Sequence, residues 1–234
     1  RKLQGEALVA RLPRRVGVWG GGAAGGVWRL TEAGHRLRRL PVEPHPQETN
    51  NGTSNRRARF TEPSPQFLAH TLRVADIRLA LEQLTVASEG RVELTTVQTE
   101  PTCWRSWTGP YGAPATLRPD LYAETTSGDY LDCWFIEADM GTEHLTAIVK
   151  KARAYQAYWR SGREQAALGV FPLVVWVTPD ERRAQAIAGA VAGDTGCDNR
   201  LHRAAPFERL VEAVTGHVGT ADKTLKTPIE GSQS

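Results

Sequence analysis

The sequence predicts an α+β protein in which a short basic segment precedes a mixed β-sheet with flanking helices. Three observations carry this prediction. Apolar residues make up 40% of the 234 residues, which is enough to fill a core. After residue 66, helical and strand periodicities follow one another in the order α-β-β-β-α-β-α. A Pro-rich, polar stretch at 41–66 predicts a linker between the segment at 1–40 and the domain at 67–214.

The segment at 1–40 has the pattern of two short strands and a helix. Leu8–Leu12 and 27–30 have the composition of strands, and a glycine-rich turn at 20–26 separates them. Thr31 is a suitable N-cap for a helix that ends near Leu40. A two-stranded ribbon followed by such a helix resembles the wing and last helix of a winged-helix domain, and the resemblance covers only part of that domain.

The first half of the following domain is predicted as one helix and three strands. Apolar residues at helical spacing indicate a helix at 67–88, and rough alternation indicates a strand at 91–99. Two further strands are predicted at 117–125 and 130–138. The turn chemistry of Ser-Gly-Asp at 127–129 lies between them, so the two strands are expected to form a hairpin.

The second half of the domain alternates helix and strand. Thr142 is predicted to cap a helix over 143–159, and the continuous apolar run at 173–177 predicts a buried strand. Pro179 opens a helix that runs from Asp180 to about Ala192. The remaining predictions are an edge strand at 201–204, a helix at 206–214 and a loose polar tail at 215–234.

Charge is distributed unevenly along the chain, although the net charge is only +3. Residues 1–59 hold 12 Lys and Arg against 4 Asp and Glu, whereas residues 60–234 are acidic. This asymmetry predicts DNA as a partner of the basic segment, with Arg11, Arg14 and Arg15 near the phosphates. A general preference for Arg over Lys is the alternative explanation, but it does not account for the scarcity of acids in this segment.

Several other classes of protein are disfavoured by the sequence. No run of about 18 apolar residues is present, so no membrane span is predicted. The three cysteines lack CxxC spacing, which predicts neither a disulfide framework nor a structural zinc site. No leader with a charged and then an apolar region opens the sequence, so we expect a cytoplasmic protein.

Three carboxylates fall near the ends of the predicted hairpin strands. Asp120 follows Pro119, while Glu137 and Asp139 are two residues apart and so share one face of a strand. Such carboxylates suit Mg²⁺ or Mn²⁺, hard ions that prefer oxygen ligands and can activate water. On the next helix, Lys150 and Lys151 could each reach this site and stabilise charge on a phosphate. Lys151 is the predicted site residue, because it lies on the border of the apolar side of the helix, one turn before Tyr155.

Structural explanations of the same residues stay open. Pairing with Arg118 or Lys151 would also satisfy Glu137 and Asp139, since unpaired carboxylates are costly to bury. Trp104 and Trp107 are most simply core residues, although their loop is also suited to stacking on bases.

This arrangement resembles the PD-(D/E)xK nuclease superfamily over about residues 67–192. Members share an α-β-β-β-α-β core with an Asp on the second strand and an acid-x-Lys motif on the third. The resemblance implies that Asp120, Glu137 and Asp139 are catalytic, metal-binding residues. Asp139 occupies the usual Lys position, and Lys151 lies on the following helix, to which some members move the catalytic Lys.

A second resemblance spans about residues 8–190. The strings that carry it are Leu30-Thr-Glu-Ala-Gly-His, His70-Thr-Leu-Arg-Val-Ala-Asp-Ile-Arg, Arg118-Pro-Asp, Glu137-Ala-Asp-Met-Gly-Thr-Glu-His-Leu and Lys151-Ala-Arg-Ala-Tyr-Gln-Ala-Tyr. They are similar to the replication-relaxation family of plasmids and integrated mobile elements. Membership implies a DNA-bound role in the replication or relaxation of these elements.

Three functions are consistent with the sequence. The first is a DNA-binding protein with a metal-dependent, nuclease-like domain, which retention of the three carboxylates favours. The second is a non-catalytic DNA-binding regulator on the same fold, which the displaced Lys favours. The third is a protein-interaction module whose acidic domain recruits a partner. One geometric feature separates the nuclease-like function from the other two. It is the convergence of the carboxylates with a Lys amine.

Overall fold

The computed structural model divides into two compact units, residues 1–69 and 70–234. The residues that it describes are 2–12, 28–39, 64–109, 112–215 and 227–228. Arg14, Arg15, the glycine-rich turn, most of the predicted linker and most of the predicted tail lie outside these ranges.

The first unit contains a hairpin and a helix, as the sequence predicts. Its elements are α1 (Lys2–Gly5), β1 (Val9–Arg11), β2 (Trp28–Leu30) and α2 (Glu32–Arg39). The strands are antiparallel, with Val9 opposite Leu30. Thr31 caps α2, because its Oγ1 accepts a hydrogen bond from the Gly34 amide at 3.2 Å. Gly34 is needed here, since an added Cβ would lie 2.1 Å from the Leu8 carbonyl oxygen.

The rest of the described chain alternates helices and strands. In chain order the elements are α3 (Pro65–Glu82), α4 (Leu84–Ala87), β3 (Glu93–Thr99), β4 (Arg105–Thr108), β5 (Pro114–Leu117), β6 (Leu121–Ser127), β7 (Tyr130–Ala138), α5 (Leu145–Arg160), α6 (Arg163–Leu168), β8 (Leu173–Thr178), α7 (Glu181–Ala192), β9 (His202–Pro206), α8 (Leu210–Thr215) and β10 (Thr227–Pro228). Two short 3₁₀ turns flank β9. Among the described helices, none is both long and apolar enough to cross a membrane.

Five strands form the predicted mixed sheet, in the order β3-β6-β7-β8-β9. The β3-β6 and β6-β7 pairs are antiparallel, and the β7-β8 and β8-β9 pairs are parallel. The short strand β10 also pairs with the start of β7. The expectation that the strands predicted at 117–125 and 130–138 share one sheet is confirmed.

Side chains of β7 alternate between two cores, one on each face of the sheet. Trp134 and Ile136 pack on the face that also holds residues of α3 and α8. Phe135 packs on the opposite face, with residues of α5, α7 and the β4-β5 hairpin. Glu137 follows Phe135 by two residues and therefore faces α5.

The second hairpin strand begins later than predicted. The ladder with β7 starts at Leu121, whereas Leu117 belongs to β5 in a separate two-stranded sheet. Pro119 explains the break, because it lacks an N–H and restricts the backbone of Arg118. Asp120 therefore precedes the strand.

Other boundaries also differ from the predictions. The helix expected at 67–88 ends at Glu82 and is followed by the separate turn α4. The helix expected after Thr142 begins at Leu145, and its N-cap residue His144 makes no side-chain capping hydrogen bond. The β4-β5 hairpin and α6 were not predicted, since elements of four to six residues give little periodicity.

Candidate functional site

Two carboxylates lie side by side where β6 begins and β7 ends. Leu121 pairs with Ile136 in the antiparallel ladder, so Asp120 and Glu137 occupy the next opposed positions. Both residues are buried, with 8% and 2% of their surface exposed. The charge of Asp120 acts directly on Glu137, since it contributes to the raised pKa of that residue.

Both oxygens of Glu137 accept hydrogen bonds from α5. The Lys151 ammonium lies 2.5 Å from Oε2, and the Tyr155 hydroxyl donates to Oε1. Lys151 and Tyr155 are four residues apart and so lie on the same face of the helix. Burial raises the pKa of Glu137 to about 8, although the Lys151 charge opposes this effect. Glu137 therefore holds its proton more tightly than an exposed glutamate does.

The two α5 partners of Glu137 keep their protons at neutral pH. Burial lowers the pKa of Lys151, but the charges of Glu137 and Asp120 outweigh burial and raise the pKa above its ordinary value. Burial, reinforced by the Glu137 charge, raises the pKa of Tyr155 well above its usual range. The neighbouring Lys150 is exposed, so Lys151 is the α5 lysine that contacts the carboxylates.

Asp120 is held by a helix from the other side of the sheet and by the backbone of β7. His70 Nε2 lies 3.3 Å from Asp120 Oδ2, and the Ala138 amide donates to the same oxygen at 2.8 Å. The hydrogen bond with Asp120 raises the pKa of His70. Burial alone would raise the pKa of Asp120, but the His70 bond, the Lys151 charge and the Ala138 amide outweigh it and lower the pKa. Asp120 is therefore ionised at neutral pH.

We call Asp120, Glu137, Lys151, Tyr155 and His70 the carboxylate cluster. Asp120 Oδ1 accepts no hydrogen bond within the described residues, and 11% of the Asp120 side chain is exposed. The part of the chain that the structure describes contains no group of three or more His, Cys, Asp or Glu arranged to hold a metal ion. Metal binding by Asp120 and Glu137 therefore stays a prediction.

Asp139 is engaged elsewhere. Its carboxylate accepts two hydrogen bonds from the Arg183 guanidinium, at 2.8 and 2.9 Å, and one from the Gly141 amide at 3.1 Å. Arg183 also donates to the Glu143 carbonyl at 2.7 Å. The structure thus brings together Asp120, Glu137 and Lys151 of the predicted site residues, and it pairs Asp139 with the first turn of α7.

The predicted DNA-binding arginines are only partly described. Arg11 is exposed at the end of β1, where it pairs with Trp28. Arg14 and Arg15 lie outside the described residues, so their role stays a prediction.

Three residues of this region were not predicted as functional. His70 continues the helical stripe of Ile77 and Leu81, which face the sheet, and this spacing could have revealed it. Tyr155 follows Lys151 by one helical turn, which is also a readable signal. Arg183 carries no such signal, because its partner Asp139 is 44 residues away in the chain.

Fold and site together define an α+β protein whose mixed sheet carries a buried carboxylate–lysine cluster at the ends of adjacent antiparallel strands. The chain belongs to the replication-relaxation family, since the model of that family matches residues 1–174. The match includes every residue of the carboxylate cluster and ends before α7. No curated protein and no solved structure matches the chain.

Proposed function

We propose that the protein binds DNA in the replication or relaxation of plasmids or mobile elements and cleaves a phosphodiester bond at the carboxylate cluster. The observation that carries this proposal is the convergence of Asp120, Glu137 and Lys151. Family membership supports the role in replication or relaxation. The order of elements, with the acids at the ends of the β6-β7 hairpin, supports the nuclease-like assignment.

Asp120 and Glu137 are the residues that would hold Mg²⁺ or Mn²⁺. Asp120 is suited to this role because it is ionised and its Oδ1 accepts no hydrogen bond from the described residues. A bound divalent cation supplies a water of lowered pKa and offsets charge that develops on a phosphate. His70 is a positioning residue, since its bond to Oδ2 fixes the orientation of the Asp120 carboxylate.

Lys151 supplies positive charge next to the carboxylates. Lys151 is about one-third exposed along its side chain, so its ammonium can contact a phosphate oxygen while it stays near Glu137. A divalent cation beside Asp120 would favour the ionised form of Glu137, against the effect of burial on its pKa. Tyr155 holds the Glu137 carboxylate in place from the core side.

Cleavage of supercoiled and linear DNA in Mg²⁺, Mn²⁺ and EDTA tests this proposal. Wild-type protein is expected to cut in either metal and not in EDTA. Asp120→Asn keeps the side-chain size, removes the charge and should reduce the rate by about 100-fold or more. Asp76→Asn, on an exposed position of α3, is the matched control and should cut normally.

A non-catalytic DNA-binding regulator is the second candidate. In the third-strand motif, Asp139 occupies the position of the usual Lys and pairs with Arg183 instead of joining the carboxylate cluster. This replacement favours the regulator. It is also favoured by Glu137, both of whose oxygens already accept protein hydrogen bonds. DNA binding by the wild type without cleavage in either metal would select this candidate over the nuclease.

A further inference from the structure

An exposed tryptophan lies in the turn between β3 and β4, and the turn holds it in place. Trp104 is 36% exposed. Its indole Nε1 donates to Glu100 Oε1 at 3.0 Å, and its backbone amide donates to the Pro101 carbonyl at 3.1 Å. The Cys103 amide and the Thr102 hydroxyl both donate to the Thr99 carbonyl, which closes the turn. The ring is therefore presented to solvent on a hydrogen-bonded support.

Arg118 lies over one face of the Trp104 ring, so the stacking surface of the pair is the other face of the indole together with the outer face of the guanidinium. Its guanidinium carbon lies 4.6 Å from the centroid of the Trp104 ring, which is the geometry of a cation–π contact. Arg118 is exposed, and no hydrogen bond or ion pair joins it to another described residue. Its five N–H donors are thus available to a phosphate, for which a planar guanidinium is well suited.

The Trp104–Arg118 pair borders the carboxylate cluster. Arg118 precedes Asp120 by two residues, and the Cys103 thiol donates to the Pro119 carbonyl at 3.0 Å. Trp107, by contrast, is buried against Tyr158, with ring centroids 4.9 Å apart. Of the two tryptophans in this region, only Trp104 can meet a ligand.

We infer that Trp104 and Arg118 form a stacking site for an unpaired base beside the carboxylate cluster. The DNA that reaches the cluster is therefore single-stranded or locally unpaired. An indole face stacks on any base, whereas bases inside a duplex have both faces covered by their neighbours. Arg118 would hold the adjoining phosphate without reading sequence. This inference rests on the proposed function in one respect, which is that the ligand is DNA.

The test is the affinity of the full chain for a labelled oligothymidylate and for a duplex of equal length, by fluorescence anisotropy in EDTA. Trp104→Leu keeps an apolar side chain and removes the ring, so single-strand binding should weaken by about 5- to 100-fold. Trp104→Phe keeps a ring and should recover most of the affinity. Duplex binding should change by less than about twofold in both variants.

Arginine variants give an independent readout. Arg118→Met should lower the salt dependence of single-strand binding by about 0.7 in the log–log slope, as expected for one lost phosphate contact. Arg182→Met, at an exposed position of α7, is the matched control and should leave the slope unchanged.

Three results would overturn the inference. The wild type could fail to bind the oligothymidylate, or Trp104→Leu could bind it as tightly as the wild type does. In the third, the Trp104 variants lose single-strand and duplex binding equally. Because these measurements are made without metal, they are separate from the cleavage assay. Selective loss of single-strand binding in a protein that never cleaves DNA would reject the nuclease and keep the stacking site.

Discussion

The Lys151 ammonium lies 2.5 Å from Glu137 Oε2. The Glu137 side chain is buried in the core beneath α5, so Lys151 is the cation that offsets its charge there. A buried carboxylate without a partner is costly, and its pKa rises until it takes up a proton. The pair therefore couples the protonation of the cluster to the stability of the domain.

Lys151→Met should lower the free energy of unfolding by about 1–3 kcal/mol at pH 9 and by less at pH 6. The Lys151 charge lowers the pKa of Glu137, so its loss moves that pKa above 8. At pH 6 Glu137 is protonated with or without Lys151, whereas at pH 9 its charge would be buried unpaired. Urea unfolding at both pH values measures the difference, and Lys150→Met at the exposed neighbouring position is the control. If Lys151→Met and Lys150→Met lost the same free energy of unfolding at each pH, the pairing of Lys151 with Glu137 would be contradicted.

Glu137→Gln should become more stable relative to wild type as pH rises from 5 to 9. Folding raises the pKa of Glu137 from 4.5 to about 8. Between these two pH values, the folded state therefore holds a proton that the unfolded chain has released. The stabilisation from that proton is present below pH 4.5 and is lost as pH rises through 8, by up to about 5 kcal/mol. His70→Asn is the comparison variant. The pKa of His70 is also raised, but its ring is only half-buried, so His70→Asn should change the pH dependence of stability less than Glu137→Gln does. A constant difference between Glu137→Gln and wild type would refute the raised pKa.

His202 should make the fold sensitive to acid. Burial lowers the pKa of His202 from 6.5 to about 4, and Trp176 Nε1 donates to its neutral Nδ1 at 3.4 Å. The contribution of a depressed histidine is present above pH 6.5 and is lost as pH falls towards 4, by about 3 kcal/mol. His202→Asn preserves an acceptor and should flatten this part of the stability profile. Chemical unfolding at pH 7, 5.5 and 4 gives the comparison, and parallel profiles for the two proteins would count against the assignment.

Replacing Arg11, Arg14 and Arg15 by Ala should weaken binding to all DNA sequences alike. Loss of about three phosphate contacts reduces the log–log dependence of duplex binding on salt by roughly 2.7. Titrations at several salt concentrations measure this slope. An unchanged slope would mean that these side chains do not touch the DNA backbone.

The sequence was sufficient to predict the central hairpin and the opposed acids. A turn at 127–129 between two apolar strands determines the register, and the register places Asp120 opposite Glu137. The position of Asp139 was not predictable, since it lies beyond the end of β7, where strand alternation no longer determines side-chain direction. Its pairing with Arg183 and the approach of His70 to Asp120 depend on long-range packing, which a single sequence does not specify.

Thermal unfolding with and without Mn²⁺ tests the central claim that the carboxylate cluster binds a divalent cation. An ion at about ten times its Kd stabilises the fold by about 1.4 kcal/mol, which should raise the wild-type midpoint by about 3–6 °C. Asp120→Asn should fold and lose most of this shift, while Asp76→Asn should keep it. If millimolar Mn²⁺ leaves the wild-type midpoint unmoved, the cluster is not a metal site and the domain is a scaffold for DNA binding.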